Sequence, residues 1–118
     1  MIDFDIYQLQ AMRTAKPGDI GFDLMHAAYG LAGEAGEFAD CIKKNQVYDK
    51  PLDRDNAVEE LGDLLWFIAL ACNALDVSMA DIAKANIDKL RKRYPEKYTD
   101  HHAAARLDKQ HVEAPKAP

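Results

Sequence analysis

Apolar residues recur every three or four positions along almost the whole chain, and no segment alternates convincingly as a strand would. The pattern predicts an all-α protein. A first helix runs from Asp3, a plausible N-cap, to Ala15, with Phe4, Tyr7, Leu9 and Met12 at helical spacing, and the Lys16–Asp19 turn ends it. A long second helix spans Phe22 to Asn45, carrying Leu24, Ala27, Ala28, Leu31, Ala35, Phe38 and Ile42. After a polar connection, Asn45 to Asp55, a third helix runs to Leu75. Beyond Asp63 it is apolar almost all round, as expected of a central helix surrounded by partners. Ser78 and Asp81 resemble a capping box opening a fourth helix, which reaches Tyr94 and stops at Pro95. The expected architecture is a four-helix-bundle-like protomer with a long central antiparallel pair. Residues 1–98 form the folded domain in this reading. Residues 99–118 form a polar tail, loosely held or embracing a neighbouring subunit.

Four acids interrupt the apolar pattern of the central pair. Glu34 and Glu37 lie in GEAGE, Glu60 and Asp63 in EELGD, each pair at i, i+3 spacing and so on one helix face. The pairs mirror one another about the point between Tyr48 and Asp49, inside the polar connection. A chain folding back there sets Glu34 level with Asp63 and Glu37 level with Glu60. Four converging carboxylates repel unless cations sit among them, and an all-oxygen set suits hard divalent ions such as Mg²⁺ or Mn²⁺. The plain alternative is two solvated acidic faces, against which the apolar and glycine-rich surroundings argue. Gly30, Gly33 and Gly36 inside the second helix, and Gly62 inside the third, allow close approach by a backbone or ligand; a helix break near Gly30 is the other reading.

Carboxylate-held Mg²⁺ commonly serves phosphoryl chemistry, which also calls for cations facing the phosphates. Asn86, Lys89 and Arg93 share a stripe of the fourth helix with Ile82 and Leu90, leaning towards the core, whereas Arg91 and Lys92 point elsewhere. Lys89 and Arg93 equally suit a helix C-terminus, where cations complement the dipole, and for Lys43 and Lys44 that role is the better fit. Trp66 reads first as core and second as a wall on which a base could stack. His26 reads as packed, and His101, His102 and His111 lack helical metal-ligand geometry.

The net charge of −5 argues against a general nucleic-acid binder. The most apolar run, Leu64–Cys72, has nine residues, whereas a bilayer span needs roughly 20. The acidic N-terminus lacks the pattern of a secretory signal, and Cys41 and Cys72 have no CxxC partner, which suits reduced thiols in the cytoplasm.

At these residues the chain resembles the MazG-like all-α nucleoside triphosphate pyrophosphohydrolases, whose pattern is Glu-x-x-Glu, a spacer, then Glu-x-x-Asp. Here 22 residues separate Glu37 from Glu60. The likeness continues through YQLQAMRTA at Tyr7, GLAGEAGEF, ELGDLLWF and NIDKLRKRYP at Asn86. Two departures stand out: Gly33 occupies a position where many relatives carry a further acid, and Phe67 one where some have a tyrosine near the base. The resemblance implies Mg²⁺-dependent hydrolysis of a (deoxy)nucleoside triphosphate between the α and β phosphates, and a part in clearing the nucleotide pool. It implies Glu34, Glu37, Glu60 and Asp63 as metal ligands, with Glu37 also orienting the attacking water. Asn86, Lys89 and Arg93 would then face the phosphates in a homodimer or homotetramer. Phosphoribosyl-ATP hydrolysis on the same fold and a non-enzymatic helical interaction module are the competing readings. A di-iron carboxylate bundle would require Glu-x-x-His, which neither acidic motif offers.

Overall fold

The computed structural model describes residues 2–110 and is entirely helical among them, with five α-helices and one short 3₁₀ turn. They are α1 (Phe4–Met12), α2 (Ile20–Gln46), α3 (Arg54–Ala74), α4 (Met79–Arg93) and α5 (Asp100–Ala105), followed by the 3₁₀ turn Leu107–Lys109. The chain divides into two compact units, one ending at Ala80 and one beginning at Asp81.

In the first unit, aspartates open three helices. Asp3, Asp19 and Asp53 accept hydrogen bonds from the backbone N–H groups of Ile6, Phe22 and Asn56, the donors that a helix start leaves unpaired. α2 is continuous through Gly30, Gly33 and Gly36, so the helix does not break there. The reason is visible at Gly30, where the Phe67 ring lies against the backbone and an added Cβ would come within 2.2 Å of it. The glycine admits an aromatic ring from α3, and that packing outweighs its poor helix propensity.

α2 and α1 both pack on α3. Cys41 and Asn56 are mirror positions about the connection, and Asn56 Nδ2 lies 2.7 Å from Cys41 Sγ. Gly30 and Phe67 are mirror positions too, so α2 and α3 run antiparallel in the expected register. Ala11, Ala69, Cys72 and Met79 form the core cluster, with Tyr7, Met12, Trp66 and Ile68 packed against it. Gln8 ties α1 to the turn after α3: its Nε2 donates to the Val77 carbonyl at 3.0 Å, and its Oε1 accepts from Met79 N–H at 2.8 Å. Both cysteines are free and buried.

α3 is less enclosed than its composition predicts. Val58, Leu61 and Leu65 are 52%, 48% and 37% exposed and fall on one helical stripe. One chain supplies α1 and α2 as partners for α3, and their packing leaves that stripe uncovered. Among the described residues no single helix is long and apolar enough to cross a membrane.

In the second unit α4 continues to Arg93. The segment expected as a loose tail instead contains α5, capped by the Thr99 hydroxyl, which accepts from His102 N–H at 3.0 Å. Its anchor is non-local in sequence: Asp108 is almost fully buried against Arg93, fifteen residues earlier. Residues 111–118, including His111, lie outside the described part.

Candidate metal centre and active site

Antiparallel register brings the two acidic motifs together. Glu34 of α2 and Glu60 and Asp63 of α3 each offer one carboxylate oxygen, and the three atoms lie within 4.8 Å of one another. Mg²⁺ binds oxygens at about 2.1 Å, so oxygens on opposite sides of one ion stand about 4.2 Å apart, the scale of this triad. Glu60 carries the strain of the arrangement. Its carboxyl is pushed up to about 7, first by a hydrogen bond with Glu34, then by burial, then by the charges of Glu34, Asp63 and Glu37. Two carboxyls can hydrogen-bond only if one keeps its proton, so the cluster without metal shares one. That bond also sets Glu60 against Glu34 rather than simply level with Glu37.

The second oxygen of Glu60, Oε2, is sealed from solvent and has no hydrogen-bond partner. A buried carboxylate oxygen with nothing to receive is costly, and a cation is the partner this donor set lacks. With oxygen donors only, the triad fits a hard divalent ion and not a thiolate- or imidazole-seeking one. Glu37 stands one turn along α2 from Glu34, exposed and outside the tight triad, yet close enough for its charge to act on Glu60.

Trp66 is fixed by α1. Its indole N–H donates to Thr14 Oγ1 at 2.9 Å and to the Ala11 carbonyl at 3.2 Å, and the half-buried ring packs on the core. Phe22, His26, Trp66 and Phe67 form one aromatic group, with His26 meeting Trp66 and Phe67 edge-on at 6.0 and 5.5 Å. His26 is thus a packed residue.

Tyr7 escaped the sequence reading. Burial, and then the charge of Asp63, raise its phenol above the ordinary range, which places it within electrostatic reach of the acids. No spacing rule links positions 7 and 63; only the packing of α1 on α3 does so.

In the second unit, Asn86 and Lys89 are exposed and Ile82 is 42% exposed, so their stripe is not a core face in this chain. Arg93 is half-buried because its guanidinium is engaged by Asp108, Nε to Oδ1 at 2.8 Å and Nη2 to Oδ2 at 3.0 Å. Lys43 and Lys44 sit in the last turn of α2 and both reach Asp40, at 3.8 and 2.9 Å.

An all-α chain that gathers carboxylates between antiparallel helices offers an oxygen-only donor set suited to a hard divalent ion. Comparison is more specific. The model of the MazG nucleotide pyrophosphohydrolase domain matches residues 23–98. The chain is 39% identical over 99 residues to Gene 37 protein of Mycobacterium phage L5, covering 75% of this chain and 86% of that protein. It is 32% identical over 73 residues to the uncharacterized protein YvdC of Bacillus subtilis (strain 168), covering 54% of this chain and 69% of that protein. No solved structure matches. The chain belongs to the MazG nucleotide pyrophosphohydrolase family. It is therefore a hydrolase of phosphoanhydride bonds, of a family that generally depends on a divalent metal.

Proposed function

We propose that this protein is a Mg²⁺-dependent (deoxy)nucleoside triphosphate pyrophosphohydrolase that cleaves between the α and β phosphates, releasing monophosphate and pyrophosphate. The observation that supports this most is the Glu34–Glu60–Asp63 triad with its partnerless Glu60 oxygen. These three residues and Glu37 hold the metal, with Mn²⁺ as a substitute. Bound there, the cation supplies charge neutralisation for phosphate oxygens and activation of the attacking water. Glu37, exposed and one turn along α2 from Glu34, is the carboxylate that orients that water. Asn86, Lys89 and Arg93 hold phosphate oxygens, lysine as a point charge and arginine as a planar fork. Trp66 offers only a ring face to a base, since its N–H is already bonded to α1.

The uncovered stripe of Val58, Leu61 and Leu65 supports assembly into a dimer or a dimer of dimers, in which a second copy completes the helical bundle around α3. The free buried thiols suit a cytoplasmic setting. The net charge of −5 argues against a general nucleic-acid surface.

The test is a panel of canonical and modified (deoxy)nucleoside triphosphates, with phosphoribosyl-ATP included, incubated with Mg²⁺ and resolved by product. Monophosphate with pyrophosphate supports the reading. Diphosphate with phosphate, or exclusive turnover of phosphoribosyl-ATP, contradicts it. Preference for modified bases would place the enzyme in nucleotide-pool clearance.

A further inference from the structure

The positive charge of the α2–α3 hairpin is gathered at one end. The lysines and arginines of these two helices are Lys43, Lys44 and Arg54, and all of them stand beside the connection, beyond the acids. On the other side of the acids lie Gly30 and the aromatic group of Phe67, Trp66, His26 and Phe22, with no lysine or arginine of either helix. A polyphosphate seated on a metal at Glu34, Glu60 and Asp63 therefore meets the positive charge of the hairpin in one direction only, towards the connection.

The three cations differ in the face they occupy. Lys44 follows Glu37 by seven residues, which returns it to within about 20° of the same side of α2. Lys43 follows Glu37 by six residues and Arg54 precedes Glu60 by six, so each stands about 120° round its helix from that acid. A helical side chain leaves the backbone tilted towards the N-terminus. That of Lys44 reaches back to Asp40, Nζ to Oδ2 at 2.9 Å, which carries its charge towards the acids.

Asp40 does not neutralise this end of α2. Lys43 reaches it as well, at 3.8 Å, so one carboxylate stands between two ammonium groups and one positive charge is left in excess. The Lys44 ammonium is held above the ordinary lysine range, first by the hydrogen bond to Asp40 and its charge, then by Cys41 and Glu37. An ammonium has three donors, and the Lys44 side chain is 58% exposed, so it can grip a further anion without leaving Asp40.

We propose that Lys44 binds the β and γ phosphates of the nucleotide, the pair that leaves as pyrophosphate, so that the substrate lies along the hairpin with its phosphate end towards the connection. The proposal rests on the reading above that the acids carry a metal-bound triphosphate cleaved between the α and β phosphates. It lies wholly within the first unit. Complementing the helix dipole, the role that suits both lysines, predicts no difference between Lys43 and Lys44. Their facing does.

The experiment uses the full chain and the variants Lys44→Ala, Lys44→Arg and Lys43→Ala. Steady-state kinetics are measured on the deoxynucleoside triphosphate that the wild type turns over fastest. Inhibition by pyrophosphate and by the matching monophosphate is measured with Mg²⁺, alongside melting temperature. Lys44→Ala should lower kcat/KM about tenfold and weaken inhibition by pyrophosphate by a similar factor, with inhibition by monophosphate unchanged. Lys44→Arg should keep most of both, since it retains the charge. Lys43→Ala, which loses the same kind of ion pair and dipole contact, should stay near wild type in both. Equal weakening of pyrophosphate by the two alanine variants would reduce Lys44 to a helix-end charge and overturn the proposal. So would a lower melting temperature in Lys44→Ala with wild-type inhibition by pyrophosphate, or equal weakening of monophosphate and pyrophosphate. Should the wild type hydrolyse no nucleotide, the proposed function falls, and calorimetric affinity for pyrophosphate with Mg²⁺ judges Lys44 by itself. A tenfold loss in Lys44→Ala then upholds the contact, and equal affinity, or no binding by the wild type, overturns it.

Discussion

The α2–α3 hairpin and the α4–α5 segment each gather charged side chains, and they do so by opposite rules. In the hairpin, like charges are forced together: three carboxylates lie within 4.8 Å, and one stays protonated up to about 7. In the α4–α5 segment, opposite charges satisfy one another, and the Asp108 carboxyl falls to about 2. An arrangement that needs a proton to be tolerable is poised to take up a cation. One that is already neutral within itself is poised to hold a shape. The contrast separates the proposed metal centre from a support, and it can be pressed experimentally.

The largest expected effect is at the hairpin. Asp63→Asn or Glu37→Gln should lower turnover by more than about a hundredfold, beyond what losing a supporting partner usually costs. The helical circular dichroism spectrum should be unchanged. Near-normal turnover in both variants at saturating Mg²⁺ would remove the acids from the mechanism. Next comes Arg93→Ala, expected to cut kcat/KM at least about tenfold, roughly 1.4 kcal/mol of transition-state stabilisation, with Mg²⁺ affinity unaltered. It should also lower the melting temperature, because Asp108 loses its main partner. A stability change alone would leave Arg93 purely structural.

Glycine substitutions probe the hairpin from its packing side. Gly30→Ala drives a methyl into the Phe67 ring and should destabilise by about 1–3 kcal/mol, less any gain in helix propensity. Gly33 and Gly36 face open space, with nothing within 4 Å of an added Cβ. Alanine there should stabilise by up to about 1 kcal/mol in thermal unfolding. A loss of activity alongside that gain would show that substrate or a second subunit needs the space.

A smaller effect follows from Glu60 without metal. Its folded-state carboxyl lies near 7 against an ordinary 4.5, so the folded protein holds the proton more tightly than the unfolded one. That contribution to stability is fully present below pH 4.5 and is lost as pH rises through about 7. Metal-free protein should therefore show a melting temperature that declines across this interval relative to Glu60→Gln. Parallel pH profiles for the two proteins would contradict the shared proton.

What could be read from the sequence follows the same division. Helices and acidic spacing are periodic, local properties, so α2, α3 and the mirror relation of their motifs were visible in residue numbers alone. The register then emerged as a consequence, in Cys41 against Asn56 and Gly30 against Phe67. Nothing periodic ties Tyr7 to Asp63 or Arg93 to Asp108. The first pairing arises from helix packing. The second arises from a left-handed turn at Arg106, and arginine has no intrinsic preference for that backbone region. The exposure along α3 was hidden for a different reason. An apolar helix signals burial without revealing whether its cover comes from its own chain or from another.

The central claim, that Glu34, Glu60 and Asp63 together hold a divalent cation, is tested most directly by titrating Mg²⁺ into the protein calorimetrically near pH 6. Buffers of different ionisation enthalpy report protons released. Binding should expel close to one proton per ion at that pH, the one shared by Glu60 and Glu34, and the release should vanish above about pH 8. Glu60→Gln should bind more weakly and release none. Mg²⁺ binding without proton release at pH 6, or with undiminished affinity in Glu60→Gln, would contradict the account.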